Sequence, residues 1–294
     1  MYYRRKILLA LLEAFDNKLD KISLQKLLML LSKEQLKPDF HFVPYKFGCY
    51  SFQATADLQT MSKYNQVALL NFDWIKTDTT PYLSGLKEQD QQAISFIKQN
   101  YGNNISDELI RITYLKFAYL AINSVMAKYL LTPDQFKNII EARPKSDKTI
   151  LFTIGYEGVS LEEYINKLIN NDVKILCDVR KNSFSMKFGF SKYQLQAACN
   201  GVGIDFVHIP QLGIDSDKRQ KLNSQADYDN LFSQYRTDVL EHTQVYQDKL
   251  MELLTKHKRI ALTCFEANIC QCHRSHLANA IVHHPSFEFE LKHL

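Results

Sequence analysis

Along the first part of the chain, apolar residues recur at helical spacing. KILLALLEAF, residues 6–15, predicts a short apolar helix. In SLQKLLMLLSKEQL, residues 23–36, Leu24, Leu27, Leu28 and Leu31 fall at i, i+3, i+4 and i+7, and Ser23 stands where an N-cap belongs. HFVPYKFGCYS (41–51) reads as a short strand and a tight turn at Gly48. Residues 51–62 return to helix, and QVALLNFDWIKTD (66–78) predicts a pair of short strands. Residues 86–100, 106–129 and 133–141 read as further helices. Helices followed by a small hairpin predict a mostly α-helical, winged-helix-like domain.

The pattern then changes. ARPKSDK, residues 142–148, carries Pro and charge without periodicity, which places a boundary there and divides the chain into domains 1–146 and 147–294. Beyond it strand and helix alternate. TILFTIG (149–155) is an apolar strand, and SLEEYINKLINN (160–171) is a helix opened by a capping box, Ser160 with Glu163. VKILCDVR (173–180) is a second strand, SKYQLQAACNG (191–201) a helix ended by Gly201, and IDFVHI (204–209) a third strand. Residues 225–256 read as one long amphipathic helix, RIALTCF (259–265) as a fourth strand and HRSHLANAIV (273–282) as a last helix. This alternation predicts an α/β domain with a mainly parallel sheet.

Charge sharpens the division. Residues 1–146 hold 19 Lys and Arg against 14 Asp and Glu, while residues 147–294 hold 17 against 18. A basic first half is compatible with a polyanionic partner, although ordinary solvated surface gives the same balance. The six cysteines, Cys49, Cys177, Cys199, Cys264, Cys270 and Cys272, are too sparse for a disulfide scaffold. MYYRRKILLALLEAF resembles a signal peptide at first, but Glu13 interrupts it and no cleavage site follows. No stretch approaches the roughly 20 apolar residues of a membrane helix. A cytoplasmic protein with reduced thiols, bound to no membrane, is therefore expected; its oligomeric state is not legible.

Parallel α/β sheets bind ligands at the carboxyl ends of their strands. Each candidate polar residue lies at such an end. The first strand delivers Tyr156 and Glu157, the second Asp178 and Arg180, and the third His208. The fourth delivers Cys264 and Glu266, followed by the loop to Cys272, His273 and Arg274.

The stretch CFEANICQCHR (264–274) admits three chemistries. Zinc would need four ligands, which Cys264, Cys270, Cys272 and His273 could supply. Against it, Cys272 and His273 are adjacent, adjacent residues rarely both reach one metal, and no C-x-x-C pair exists. A thiol nucleophile at Cys272 would draw on the helix N-terminus and on His273 and Arg274. An anion cradle is favoured: free N–H groups of the helix start with forked donors from Arg274 and Arg180 suit a phosphate, and His208, His273 and Tyr156 complete a binding set. Glu157, Asp178 and Glu266 would then serve as acid–base groups. A purely structural ion network of Asp178 with Arg180 and Glu266 with Arg274 is the bland alternative. No metal or other cofactor is expected.

TIGYEG, CDVR, GFSKYQL, GIDFVHIPQLGI and CFE…CHR, in that order over residues 150–283, resemble the family catalogued as domain of unknown function 488. The resemblance implies an α/β architecture and carries motif positions onto Gly155, Asp178, Arg180, Glu266, Cys272, His273 and Arg274. It implies no settled activity. Where that family often has Pro and Arg after D-V-R, Ser183 and Met186 stand here, and Gln211 replaces an acid after H-I-P. Cys264 and Cys272 fit the motif, whereas Cys270 is extra. LQKLLMLLSKEQ…FVPYKFGCYSFQATADLQTM, within residues 5–80, resembles the helical module of Panacea-type (SocA-like) antitoxins, with Cys49 in place of a proline. That resemblance implies a role in toxin control or phage defence, with Tyr45, Lys46, Tyr50 and Ser51 on a nucleic-acid-binding face. Together these features suggest an enzyme acting on a nucleotide or nucleic acid, or a non-catalytic DNA-binding or ligand-sensing regulator.

Overall fold

The computed structural model describes residues 1–104, 106–219, 222 and 224–294, which form two compact units, Met1–Arg143 and Pro144–Leu294. In the first unit the order is α1 (Tyr3–Ala14), β1 (Lys18–Asp20), α2 (Lys21–Glu34), β2 (Val43–Tyr45), β3 (Gly48–Tyr50), α3 (Phe52–Lys63), β4 (Val67–Leu70) and β5 (Asp73–Lys76). The helices α4 (Glu88–Tyr101), α5 (Ser106–Lys116), α6 (Ala127–Leu130) and α7 (Pro133–Glu141) complete it. The strands β4 and β5 pair as an antiparallel hairpin and β1 joins the far edge of β5, giving the order β1-β5-β4. The buried face of α2 carries the leucine stripe, which packs with α1 into the core of this unit.

Three local expectations change. The cap of α2 is Asp20, whose Oδ1 accepts from the amides of Ile22 and Ser23 at 2.9 and 3.0 Å, so Ser23 lies inside the helix. HFVPYKFGCYS forms both strands of a hairpin, β2 and β3, with Gly48 at φ +84°. Any β-carbon at Gly48 would sit 2.4 Å from the Tyr114 ring, so close approach as well as backbone conformation demands glycine. Residues 106–129 are not one helix. The chain leaves helical geometry at Phe117, and the Asn123 side chain and Val125 amide donate to the Pro44 and Lys46 carbonyls of the hairpin at 3.1 and 3.0 Å. These bonds give the hairpin's carbonyls partners from a segment that has left the helix.

The second unit contains β6 (Ile150–Gly155), α8 (Leu161–Asn170), β7 (Ile175–Asp178), α9 (Lys192–Gly201), β8 (Asp205–His208), α10 (Gln225–Asp238), α11 (Gln244–His257), β9 (Arg259–Cys264), α12 (His273–Val282) and β10 (Glu290–His293). Its five strands are all parallel, in the order β10-β6-β9-β7-β8. Every residue of β6, β7 and β9 is buried, as expected of parallel strands covered on both faces. The capping box at Ser160 is formed in both directions: Ser160 Oγ accepts from the Glu163 amide at 3.2 Å, and Glu163 accepts from the Ser160 amide at 2.8 Å.

The long helix expected over 225–256 is two helices. Val239 departs from helical φ, and Thr243 Oγ1 and Gln247 Nε2 then donate to the carbonyls of Val239 and Leu240 at 2.7 and 2.6 Å. The break falls where Val239 and Thr243 are β-branched, which weakens helix. No described helix is long and apolar enough to cross a membrane.

Candidate functional site

The register of the second sheet sets the site. The central strand β9 lies between β6 and β7, with Cys264 opposite Gly155 and Thr263 opposite Asp178, while Asp178 is also opposite His208. The chain after β9 folds back over the end of β6, where the amides of Tyr156 and Glu157 donate to Phe265 O at 3.0 and 2.9 Å. This crossing explains Gly155, since a β-carbon there would lie 1.9 Å from Glu266 O. Glu157 is exposed and accepts from the Ala267 amide at 3.0 Å, bracing the same loop.

Asp178 and Arg180 are buried and face one another. Arg180 Nε and Nη2 donate to Asp178 Oδ1 and Oδ2 at 2.8 and 2.6 Å, while Nη1 reaches the Tyr156 hydroxyl at 2.6 Å and Phe190 O at 2.9 Å. Burial works to lower the Arg180 pKa, but hydrogen bonding and charge from Asp178 and Tyr156 outweigh it, and the net direction is upward. The Tyr156 ring stacks on Phe190 at 4.3 Å, and burial raises its own pKa. His208 Nε2 lies 2.9 Å from the Arg180 carbonyl. Arg274 is likewise buried: Nη1 donates to Glu266 O and Nη2 to Ala267 O at 3.3 Å. Both guanidinium groups thus spend donors on the protein, holding the strand ends and the 264–274 loop in place. Among the described residues, Arg274 Nε is the buried side-chain nitrogen that has no partner.

A second cluster sits beside them. Cys264 Sγ lies 3.1 Å from Glu266 Oε2 and 3.5 Å from His273 Nδ1. His273 Nε2 lies 3.1 Å from Val179 O. A carbonyl only accepts, so Nε2 carries a proton; in the neutral ring Nδ1 then presents its lone pair to the thiol. Cys272, the N-cap residue of α12, completes a set in which the Cys264, Cys272 and His273 ligand atoms all lie within 4.8 Å of one another. Burial pushes the Cys272 thiol well above its usual pKa, and Cys264 and Glu266 add to the rise. A protonated, buried thiol is a poor nucleophile. Cys270 is exposed and stands outside the cluster.

A cavity of about 430 Å³ opens against this edge, lined among others by Arg180, Lys181, Asn182, Lys187, Cys264 and His273. Lys181, Asn182 and Lys187 were not singled out from the sequence; two lysines within KNSFSMKFG, directly after a strand end, were the available signal. Lys187 Nζ donates to the Tyr156 carbonyl at 2.5 Å, and burial lowers its pKa against the pull of Glu157 and Glu163. No carboxylate appears among the described lining residues.

Residues 160–281 match the family described as domain of unknown function DUF488. The DUF488 match contains Asp178, Arg180, Glu266, Cys272, His273 and Arg274, and it begins after the TIGYEG strand end. No curated protein and no solved structure gives a significant match.

In the first unit, Tyr45 and Tyr50 stack at 4.8 Å. Tyr45, Lys46 and Tyr50 line a cavity of about 550 Å³ together with the buried Lys26, which donates to the carbonyls of Phe47 and Cys49. Ser51 is fully buried, and its Oγ accepts from the Ala54 amide at 3.2 Å as the cap of α3. Lys26 was missed in the sequence, although a lysine amid a leucine-rich helix signals a buried charge with dedicated acceptors.

Proposed function

We propose that the second unit is an enzyme domain that holds a phosphate-bearing ligand, a nucleotide or a nucleic-acid backbone, at the carboxyl edge of its sheet. One observation carries this reading. The cavity there is lined by Arg180, Lys181 and Lys187 with no described carboxylate, beside a cluster of thiols, imidazole and carboxylate. The lysine loop supplies the cations, Lys181 from an exposed position and Lys187 from beside the Tyr156 carbonyl, and Arg180, already paired with Asp178, contributes position more than free donors. Glu266 is the acid–base group, since its carboxylate stands at the cluster. Glu157 and Asp178 brace the loop and the arginine.

The first unit is proposed as the docking module. Its three-stranded order, with β4–β5 as the outer hairpin, supports a winged-helix-like reading of the kind the Panacea-type resemblance implies, and its excess of basic residues suits a polyanion. Tyr45, Lys46 and Tyr50 are the face candidates. A place in phage defence or mobile-element control belongs to the same proposal.

Glu266→Gln decides between enzyme and regulator. The whole protein would be screened against nucleotide and nucleic-acid pools by mass spectrometry. The expected result is turnover of one ligand by the unaltered protein and a loss of about 10²–10⁴-fold in the variant, with binding retained. Binding by both proteins without any product would instead establish a sensor.

A further inference from the structure

We propose that Cys264, Cys272 and His273 are the protein ligands of one zinc-type divalent ion, with a fourth position open to the cavity. The donor set is that of a borderline-soft ion, two thiols and one imidazole. Its spacing fits. Ligands at about 2.3 Å for sulfur and about 2.05 Å for nitrogen, at a tetrahedral angle, lie roughly 3.6 Å apart. Cys264 Sγ and His273 Nδ1 are 3.5 Å apart, and Cys272 lies within 4.8 Å of both.

The imidazole is already oriented for the role. Its Nε2–H is held by the Val179 carbonyl, the outer contact that metal-binding histidines commonly make, so the coordinating lone pair is fixed on Nδ1. All three residues sit on rigid supports: the end of the central strand and the first positions of α12. All three are almost completely buried, which keeps bulk water from competing on the protein side.

This ligand set differs from the one composed from sequence spacing. Cys270 is exposed and plays no part. Adjacency of Cys272 and His273 does not prevent both from converging, because Cys272 is extended (φ −130°, ψ 132°) while His273 begins the helix. Glu266 touches Cys264 but is outside the set whose atoms all approach one another, so it flanks the ion and remains available as a base. Cys264 and His273 line the cavity and Cys272 does not, which turns the open position toward the bound ligand. Three protein ligands with one open position is the arrangement of catalytic, not structural, zinc. The catalytic role rests on the proposed function; the metal site itself does not.

The test uses the full chain, purified under reducing conditions and without affinity tags that bind metal. Metal analysis after incubation with zinc and gel filtration is expected to give one ion per chain. Cobalt substitution is expected to give a thiolate charge-transfer band with the visible absorption of a four-coordinate ion. Cys264→Ser and Cys272→Ser should each lose the ion, and Cys270→Ser should keep it. Loading at neutral pH should release about two protons per ion as the thiols ionise. The cobalt spectrum and proton count need no variant, so a misfolded serine variant cannot obscure the answer. No stoichiometric zinc, a cobalt spectrum without thiolate bands, or equal loss in Cys270→Ser overturns the site. Metal binding without any nucleotide binding would leave the site standing and remove the functional reading. Nucleotide turnover by metal-free protein would leave the functional reading standing and remove the ion's catalytic role.

Discussion

Asp178→Ala is expected to destabilise the second unit by about 3–5 kcal/mol, because it strands the Arg180 guanidinium in a buried site without its counter-charge. The pair is close and doubly bonded, and Arg180 also ties Tyr156 and the Phe190 carbonyl to the strand end. Removing the carboxylate therefore loosens β7 and the aromatic stack together. For a unit of this size the loss corresponds to a drop of roughly 10 °C in the melting transition of the second unit. Circular dichroism with hydrogen exchange at β7 amides would read it, since the single Trp, Trp74, reports on the first unit. The double variant Asp178→Leu with Arg180→Met should recover much of the loss, as replacing both charges leaves none unpaired. A melting change within about 2 °C for Asp178→Ala would show that water already reaches the pair.

Gly155→Ala is expected to displace the loop that builds the site. The new methyl would lie 1.9 Å from Glu266 O and 3.1 Å from Arg274 Nη1, and the nearer neighbour is backbone that cannot rotate away. Overpacking of this kind costs about 1–3 kcal/mol or more. The larger effect is positional. A shift of about 1 Å in the loop carrying Glu266 is enough to reduce turnover about 10²-fold. Hydrogen exchange provides a readout free of any assay: the Tyr156 and Glu157 amides, which donate to Phe265 O, should lose protection while β7 keeps its own. Unchanged exchange at those two amides would mean that the loop accommodates the methyl.

The elements of the second unit were legible because parallel strands and amphipathic helices leave different periods in the sequence. TILFTIG, VKILCDVR and RIALTCF are short apolar runs, and the Ser160 cap is a local signal with a local cause. What escaped depends on tertiary partners. Strand β10 is four residues, Glu290–His293, largely exposed at the sheet edge, and only its pairing with β6 defines it. The bend after Phe117 answers carbonyls more than seventy residues earlier in the chain, and no window of sequence contains both.

The gathering of the site residues at one edge was legible, but their partners were not. The sequence brought Asp178, Arg180, Cys264, Glu266, His273 and Arg274 to one edge, and the register of β6, β9 and β7 assembles them there. Residue types alone could not show that both arginines donate to protein groups, because burial and hydrogen bonding are properties of the fold. Nor could spacing separate Cys270 from its neighbours. In CQC only Cys272 is buried, a consequence of its place at the start of α12.

The most direct measurement is calorimetric titration of nucleoside mono-, di- and triphosphates, with inorganic pyrophosphate as a control, into the full chain and into Lys181→Ala/Lys187→Ala. One site per chain is expected in the unaltered protein, with affinity that falls as salt rises, because charged phosphate is the recognised group. The double variant is expected to lose at least about tenfold; because Lys187 also donates to the Tyr156 carbonyl, circular dichroism is expected to show the fold kept before the loss is assigned to charge. Burial lowers the Lys187 pKa, so its share of the affinity should fade as pH rises through a value below that of an exposed lysine. Binding that ignores both lysines and salt, or no binding of any phosphate at low salt, would contradict a phosphate site at this edge.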